Sequence, residues 1–153
     1  MTLTAGILVA VLFVLTVLAL WAYFTAQRLN TLHVRTDSAL QQLEAALNRR
    51  AAVAAALIDD VVDAAQTSEA IALTHFNLEE RAAAERALSS AIASSGSADV
   101  APVVDAEARV QLAHRFYNEA VADTRALRLR PAVKLCRLGG TAPLPDFFSY
   151  VIR

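Results

Sequence analysis

From residue 7 to residue 95 the chain contains neither glycine nor proline. That removes the two residues that most often end helices and make tight turns. The stretch favours long helices and argues against a fold of many short strands joined by hairpins. It also begins inside a run of a different kind. TAGILVAVLFVLTVLALWAYF, residues 4–24, is 21 residues long, and the first 26 residues hold no charged side chain. At about 1.5 Å of rise per residue, such a run crosses a hydrocarbon core of roughly 30 Å. Trp21, Tyr23 and Phe24 lie at its C-terminal end and Arg28 comes next, the residue types of a membrane interface. A cleaved signal peptide fits less well, because no Lys or Arg precedes the run and no small-x-small site follows cleanly. We therefore expect residues 1–26 to be a transmembrane anchor. Arg28 and Arg35 follow the span and no basic residue precedes it, which predicts an outside N-terminus and a cytoplasmic 27–153.

Beyond the anchor, apolar residues recur at helical spacing through Leu29, Leu32, Ala39, Leu43, Ala46, Leu47, Val53, Leu57, Val61, Ala64 and Ile71. This is the pattern of one amphipathic helix over about 28–73, continuous with the span. A break is expected near Thr74–Asn77, where Asn77 and Glu80 form a capping-box pair. A second helix then covers about 77–94. SSGSAD at 94–99 reads as a loop, with Asp99 and Pro102 suited to the start of a third helix over about 101–130. That helix carries a coiled-coil-like seam of Val103, Ala106, Val110, Ala113, Tyr117, Ala120, Thr124 and Leu127, ended by Pro131.

The expected fold is all-α, with the anchor continuing into an up-down-up antiparallel three-helix bundle over 27–130. The third helix is then parallel to the first, so that residue 102 lies near residue 48 and Tyr117 near Val61–Ala65. Residues 131–153 form an irregular tail, since Gly139, Gly140, Pro143 and Pro145 prevent a long helix. Phe147, Phe148 and Tyr150 are too apolar for a freely solvated tail, so they either fold back or meet a partner.

Three polar features stand out. Arg50 falls on the apolar stripe. A charge there needs a partner, for which Asp105 or Glu107 is placed, or an escape to water beside Arg49. Tyr117 lies on the third helix's seam and Asn118 at its margin, where the amide either bonds to another element or points to water. The third feature is charge asymmetry. Residues 25–124 carry 14 acidic and 8 basic side chains, a net of −6, and residues 125–153 carry six basic and one acidic, a net of +5. Arg125, Arg128, Arg130, Lys134 and Arg137 make this a basic segment, suited with Phe147 and Phe148 to an acidic partner or anionic lipid. In the expected topology it sits at the end away from the anchor. The segment is short and the whole chain carries a net charge of −1, which argues against nucleic acid.

Little in the sequence supports chemistry. One cysteine, Cys136, excludes an internal disulfide and a multi-cysteine metal site. His33, His75 and His114 lack metal-ligand spacing. Asp59, Asp60 and Asp63 on a straight helix cannot wrap a cation. No phosphate loop or nucleophile–base arrangement is present, so no enzyme activity and no cofactor are expected.

Three stretches give the chain a resemblance to the LemA family of bacterial membrane-anchored proteins. LNRRAAVAAALI at 47–58 resembles that family's L-K-R-R-x-D-L-I-P-N-L-V. HRFYNEAVADTRALRLRP at 114–131 resembles its R-R-x-Y-N-x-x-V-x-x-Y-N run followed by proline. PLPDFF at 143–148 resembles its closing Pro-x-Phe-Phe. Leu47, Arg49, Arg50, Leu57, Tyr117, Asn118, Val121 and Pro131 match. Ala52 stands in place of the family's Asp, Ala55 in place of its Pro, and Thr124–Arg125 in place of its second Tyr-Asn. A segment with Tyr-Pro and Leu-Lys pairs before the last long helix is absent. The resemblance implies a shortened member: an all-helical antiparallel bundle at the bacterial inner membrane, with no implied reaction.

The expectation is therefore a non-enzymatic scaffold that presents its basic end and aromatic tail to a protein partner. The alternative is a lipid-organising protein that lays residues 125–137 on anionic membrane. Thirty-three alanines give thin helices that bury little surface alone, which suggests self-association.

Overall fold

The computed structural model of the chain describes residues 2–136, 138 and 143–149. All regular structure among them is helical: α1 (Thr2–Leu57), a 3-10 turn (Asp59–Val61), α2 (Val62–Glu69), α3 (Leu78–Ser94), α4 (Ala101–Arg128) and α5 (Pro131–Leu135). α1 has 56 residues, about 84 Å of rod. It is long and apolar enough to cross a membrane, and nothing else among the described residues covers its most apolar window. No helix break separates its apolar run from the part that enters the bundle.

The expected helix over 28–73 does not form as one piece. α1 stops at Leu57, and Ile58 takes an extended conformation (φ −137°, ψ 103°). The sequence there is IDDVVD, six residues of modest helix propensity in succession. Asp59 and Asp60 open the 3-10 turn, where negative charge suits the positive end of the helical dipole. Ile58 and Val61 are buried, so the reversal is held by packing without glycine or proline. Arg50 faces inward, as its place on the stripe predicts, but Leu57, placed on the same stripe, is exposed, and Ala54 and Ile58 face inward instead.

That one reversal changes the direction of every later helix. α2 runs back down α1, so the Leu73 amide donates to Glu44 Oε1 (2.9 Å) and the His75 ring meets Asp37 (2.9 Å). α3 climbs again, with Arg81 beside Asn48 and Glu85 beside Arg50. α4 then descends: Glu107 meets Arg50, Asp123 meets Arg35 and Thr124 meets Thr36. The order is up-down-up-down, so α4 is antiparallel to α1 and the expected up-down-up arrangement is corrected. Tyr117 lies in one cluster with Leu40 and Leu43, not beside Val61–Ala65.

The buried residues form three layers. Farthest from the apolar N-terminal run, Ala51, Ala54, Ile58, Val61, Ala65, Leu88, Ile92 and Val103 meet. Alanines here let four elements approach closely. Below them lie Leu40, Leu43, Leu47, Leu73, Val110, Tyr117, Val121 and Phe148. Lowest, Leu29, Leu127 and Val133 hold α1, α4 and α5 together. The α4 seam is largely as its periodicity predicts: Val103, Ala106, Val110, Tyr117, Ala120, Thr124 and Leu127 are buried. Asn77 is the N-cap residue of α3 but makes no side-chain cap bond. Its Oδ1 accepts from the Thr74 amide (2.7 Å), and its Nδ2 donates to the Ala72 carbonyl (2.6 Å).

Candidate functional site

Three polar constructions sit along the α1/α4 pair. The uppermost is a buried ion network. Arg50 and Glu85 are 1% and 0% exposed, and Arg50 Nη2 donates to Glu85 Oε2 at 2.5 Å. Arg50 Nη1 donates to Glu107 Oε2 (2.8 Å) and to Ser89 Oγ (2.9 Å). Glu85 Oε1 accepts from Arg81 Nε (2.9 Å) and Ser68 Oγ (2.5 Å). Arg81, also fully buried, reaches Asn48 Oδ1 (2.7 Å) and the Ile71 carbonyl. Two arginines thus face two glutamates, so charge balances within a layer that joins α1, α2, α3 and α4. An ionised group so buried is tolerated only when its hydrogen-bonding capacity is met nearby.

The Arg50–Glu107 pair is reached in sequence through a parallel register, yet it exists in an antiparallel one. The two registers cross near this level and diverge elsewhere. Asp105 instead pairs with Arg109 one turn along α4 (2.9 Å), at the exposed surface. The hydrogen bond from Arg109 holds the Asp105 carboxyl below its usual range. Sequence reasoning misses Arg81, Glu85 and Ser68. Arg81 and Glu85 resemble an ordinary surface i,i+4 pair. Their only sequence signal is that Arg81, Glu85, Leu88 and Ile92 share one helix face.

The second construction is a grip on the C-terminal segment, and it accounts for the mid-helix asparagine. Asn118 Oδ1 accepts from the Phe148 amide (3.0 Å), while its Nδ2 donates to the Phe148 carbonyl (3.3 Å). The side-chain amide pairs with the backbone as a peptide group would. The Tyr117 hydroxyl donates to the Asp146 carbonyl (2.8 Å), and the His114 ring bonds the Phe148 carbonyl (2.7 Å). Burial, then Asp146 and Asp37 nearby, push the Tyr117 hydroxyl up to about 12. Arg125 donates to the Pro145 carbonyl (2.9 Å) and Arg128 to the Pro143 carbonyl (2.8 Å). Residues 143–149 thus climb along α4 as an extended strap.

Several expected partner or lipid contacts are therefore corrected. Phe148 is 1% exposed and belongs to the protein's own core. Arg125 stacks on the Phe147 ring (5.6 Å) and binds the strap, as Arg128 does. Phe147 remains half-exposed, and Arg130 and Lys134 are exposed. Arg137 lies outside the described residues. The strap also walls a groove of about 440 Å³ with His33, Asp37, His75 and Phe76.

The third construction is at the base. Because α4 descends, its basic end does not lie away from the apolar run but returns beside it. Arg28, Arg35 and Arg130 line a notch of about 350 Å³ with Leu32, Ala126, Leu127 and Asp123. Trp21, Tyr23 and Phe24 are exposed on α1 below the notch, and Tyr23 and Phe24 contact edge to face.

Asp59, Asp60 and Asp63 are all exposed, and no group of metal-ligating side chains occurs among the described residues. Comparison with protein-family models, with curated proteins and with solved structures finds no match to this chain.

Proposed function

We propose that this is a LemA-like single-pass membrane protein: a non-enzymatic scaffold whose helical bundle stands on the cytoplasmic face of a bacterial inner membrane. One observation carries the reading. The same unbroken helix is apolar and unburied from Leu3 to Phe24 and engaged in a bundle from Leu29 onward. A continuous bare apolar surface of that size calls for a nonpolar environment. The motif residues that carry the resemblance also have work to do: Arg50 in the ion network, Tyr117 and Asn118 in the strap grip.

Such a body is suited to holding a surface at fixed height over the bilayer. Phe147 and the neighbouring groove walled by Phe76 offer the exposed apolar contacts for a protein partner. Cross-linking and pull-down from membranes, with the full chain and with Phe147→Ala, tests the partner. Equal recovery of every cross-linked species would remove it. Orientation is tested with Cys136, the chain's only cysteine, which is exposed. A membrane-impermeant maleimide should label it only after cells are opened; labelling of intact cells would reverse the topology.

A second reading is favoured by the return of α4 to the base. Arg28, Arg35 and Arg130 converge beside the span, where basic side chains meet anionic headgroups. Membrane contact would then be made by the base of the bundle as well as by the span.

A further inference from the structure

We propose that the notch between α1 and the α4–α5 corner binds the phosphate of an anionic phospholipid headgroup. The proposal rests on the reading of α1 as a membrane anchor. Arg28 and Arg35 enter the notch from α1 and Arg130 from the α4–α5 corner. Asp123 pairs with Arg35 at 3.0 Å. Among the described residues no carboxylate pairs with Arg28 or Arg130. Three guanidiniums against one carboxylate leave an excess of two positive charges in one concavity. Guanidinium forks match phosphate oxygens geometrically, which is why arginine serves such sites. Leu32, Ala126 and Leu127 supply an apolar floor for the glycerol end of a lipid.

The notch is built, not draped. Val133 of α5 is buried against Leu29 and Leu127, which fixes the corner carrying Arg130 against α1. Its height is also set by the helix. Trp21, Arg28 and Arg35 are spaced by seven residues, so they share one face of α1 with a drift of about 20° per step. Trp21 lies two turns, about 10 Å, below Arg28. A phosphate in the notch would send its acyl chains down the face that carries Trp21. Soluble phosphates share the headgroup's chemistry; the position beside the interface, where anionic lipid is concentrated, selects the lipid.

Trp21 is the chain's single tryptophan, so it reports on its own lipid neighbours. The full chain is reconstituted in phosphatidylcholine vesicles containing a minor fraction of acyl-brominated phosphatidylglycerol or, separately, of acyl-brominated phosphatidylcholine. Brominated phosphatidylglycerol should quench Trp21 with a several-fold higher apparent affinity, about fivefold for each arginine engaged. Arg28→Gln with Arg130→Gln should abolish the preference, and Arg28→Lys with Arg130→Lys should retain most of it. Arg109→Gln with Arg115→Gln, remote from the notch, should leave it unchanged. Equal quenching by both lipids in the unsubstituted chain would overturn the notch while leaving the anchor standing. No quenching by either lipid would remove the anchor and the notch with it. Loss of the preference on adding inorganic phosphate, at matched ionic strength in chloride, would assign the site to a soluble anion and overturn the lipid.

Discussion

The upper and lower halves of the bundle cover the same α1/α4 pair by different means. Above about Leu43, the α2–α3 hairpin lies over the pair and a charged layer runs through the core. Below it, no further long helix reaches among the described residues, and the strap of residues 143–149 takes the hairpin's place. Across the lower interface the buried polar contacts are neutral: Thr36 Oγ1 meets Thr124 Oγ1 at 3.0 Å and the Ala120 carbonyl at 3.4 Å. Register is therefore set mainly in the upper half. The upper layer permits one register, because each buried guanidinium must find its acid. The lower layer accepts a short extended segment, because α4 offers fixed polar groups that hold its backbone.

The comparison breaks most completely at Glu85. Glu85→Gln leaves two buried arginines with only Glu107 ionised opposite them, and should cost about 3–5 kcal/mol. Thermal unfolding of the full chain in micelles, followed by helical circular dichroism, should show the whole bundle melting earlier. Phe148→Ala should cost about 3 kcal/mol by opening a cavity in the lower core. Its signature should be local: faster proteolysis within residues 143–149 and faster amide exchange around Asn118, with amides around Glu85 still protected. Uniform loss of protection would mean that strap and hairpin are one cooperative unit.

Alkaline pH should single out the lower half more gently. The folded chain holds the Tyr117 proton more tightly than the unfolded chain, because the hydroxyl is raised from 10.0 to about 12. The stabilisation is therefore complete below pH 10 and lost as pH rises through 12. It is worth about 2–3 kcal/mol at most. Tyr117→Phe should flatten stability across that window while lowering it by about 1 kcal/mol at neutral pH. An unchanged slope would show that another group governs the alkaline limb. The smallest effect is expected from replacing Thr36 and Thr124 together by valine. With both partners gone no orphan remains, and stability should change by less than about 0.5 kcal/mol. A large loss would mean the lower interface is as exacting as the upper one.

How much of this is legible in the sequence depends on the length scale. The α4 seam is readable residue by residue, since 28 residues without a break repeat one spacing. Arg50 is readable as a charge on an apolar face that needs a partner. The reversal at Ile58 is not, because it uses neither glycine nor proline and rests on one extended residue between buried neighbours. Without it, α4 is inverted and the basic segment goes to the wrong end. The reason Phe148 is apolar is hidden as well: the groove that receives it exists only when α4 is antiparallel to α1.

The sequence alone determined the local and periodic features: helical elements, a bare apolar run at the start, a charge on a buried face and an end rich in arginine. Those come from hydrophobic spacing and charge along the chain, which need no knowledge of neighbours. Tertiary structure decided direction, pairing and which arginines are spent on the protein itself. Those depend on a single backbone reversal that local propensity does not dictate, and on buried charges that find their partners only after the helices meet.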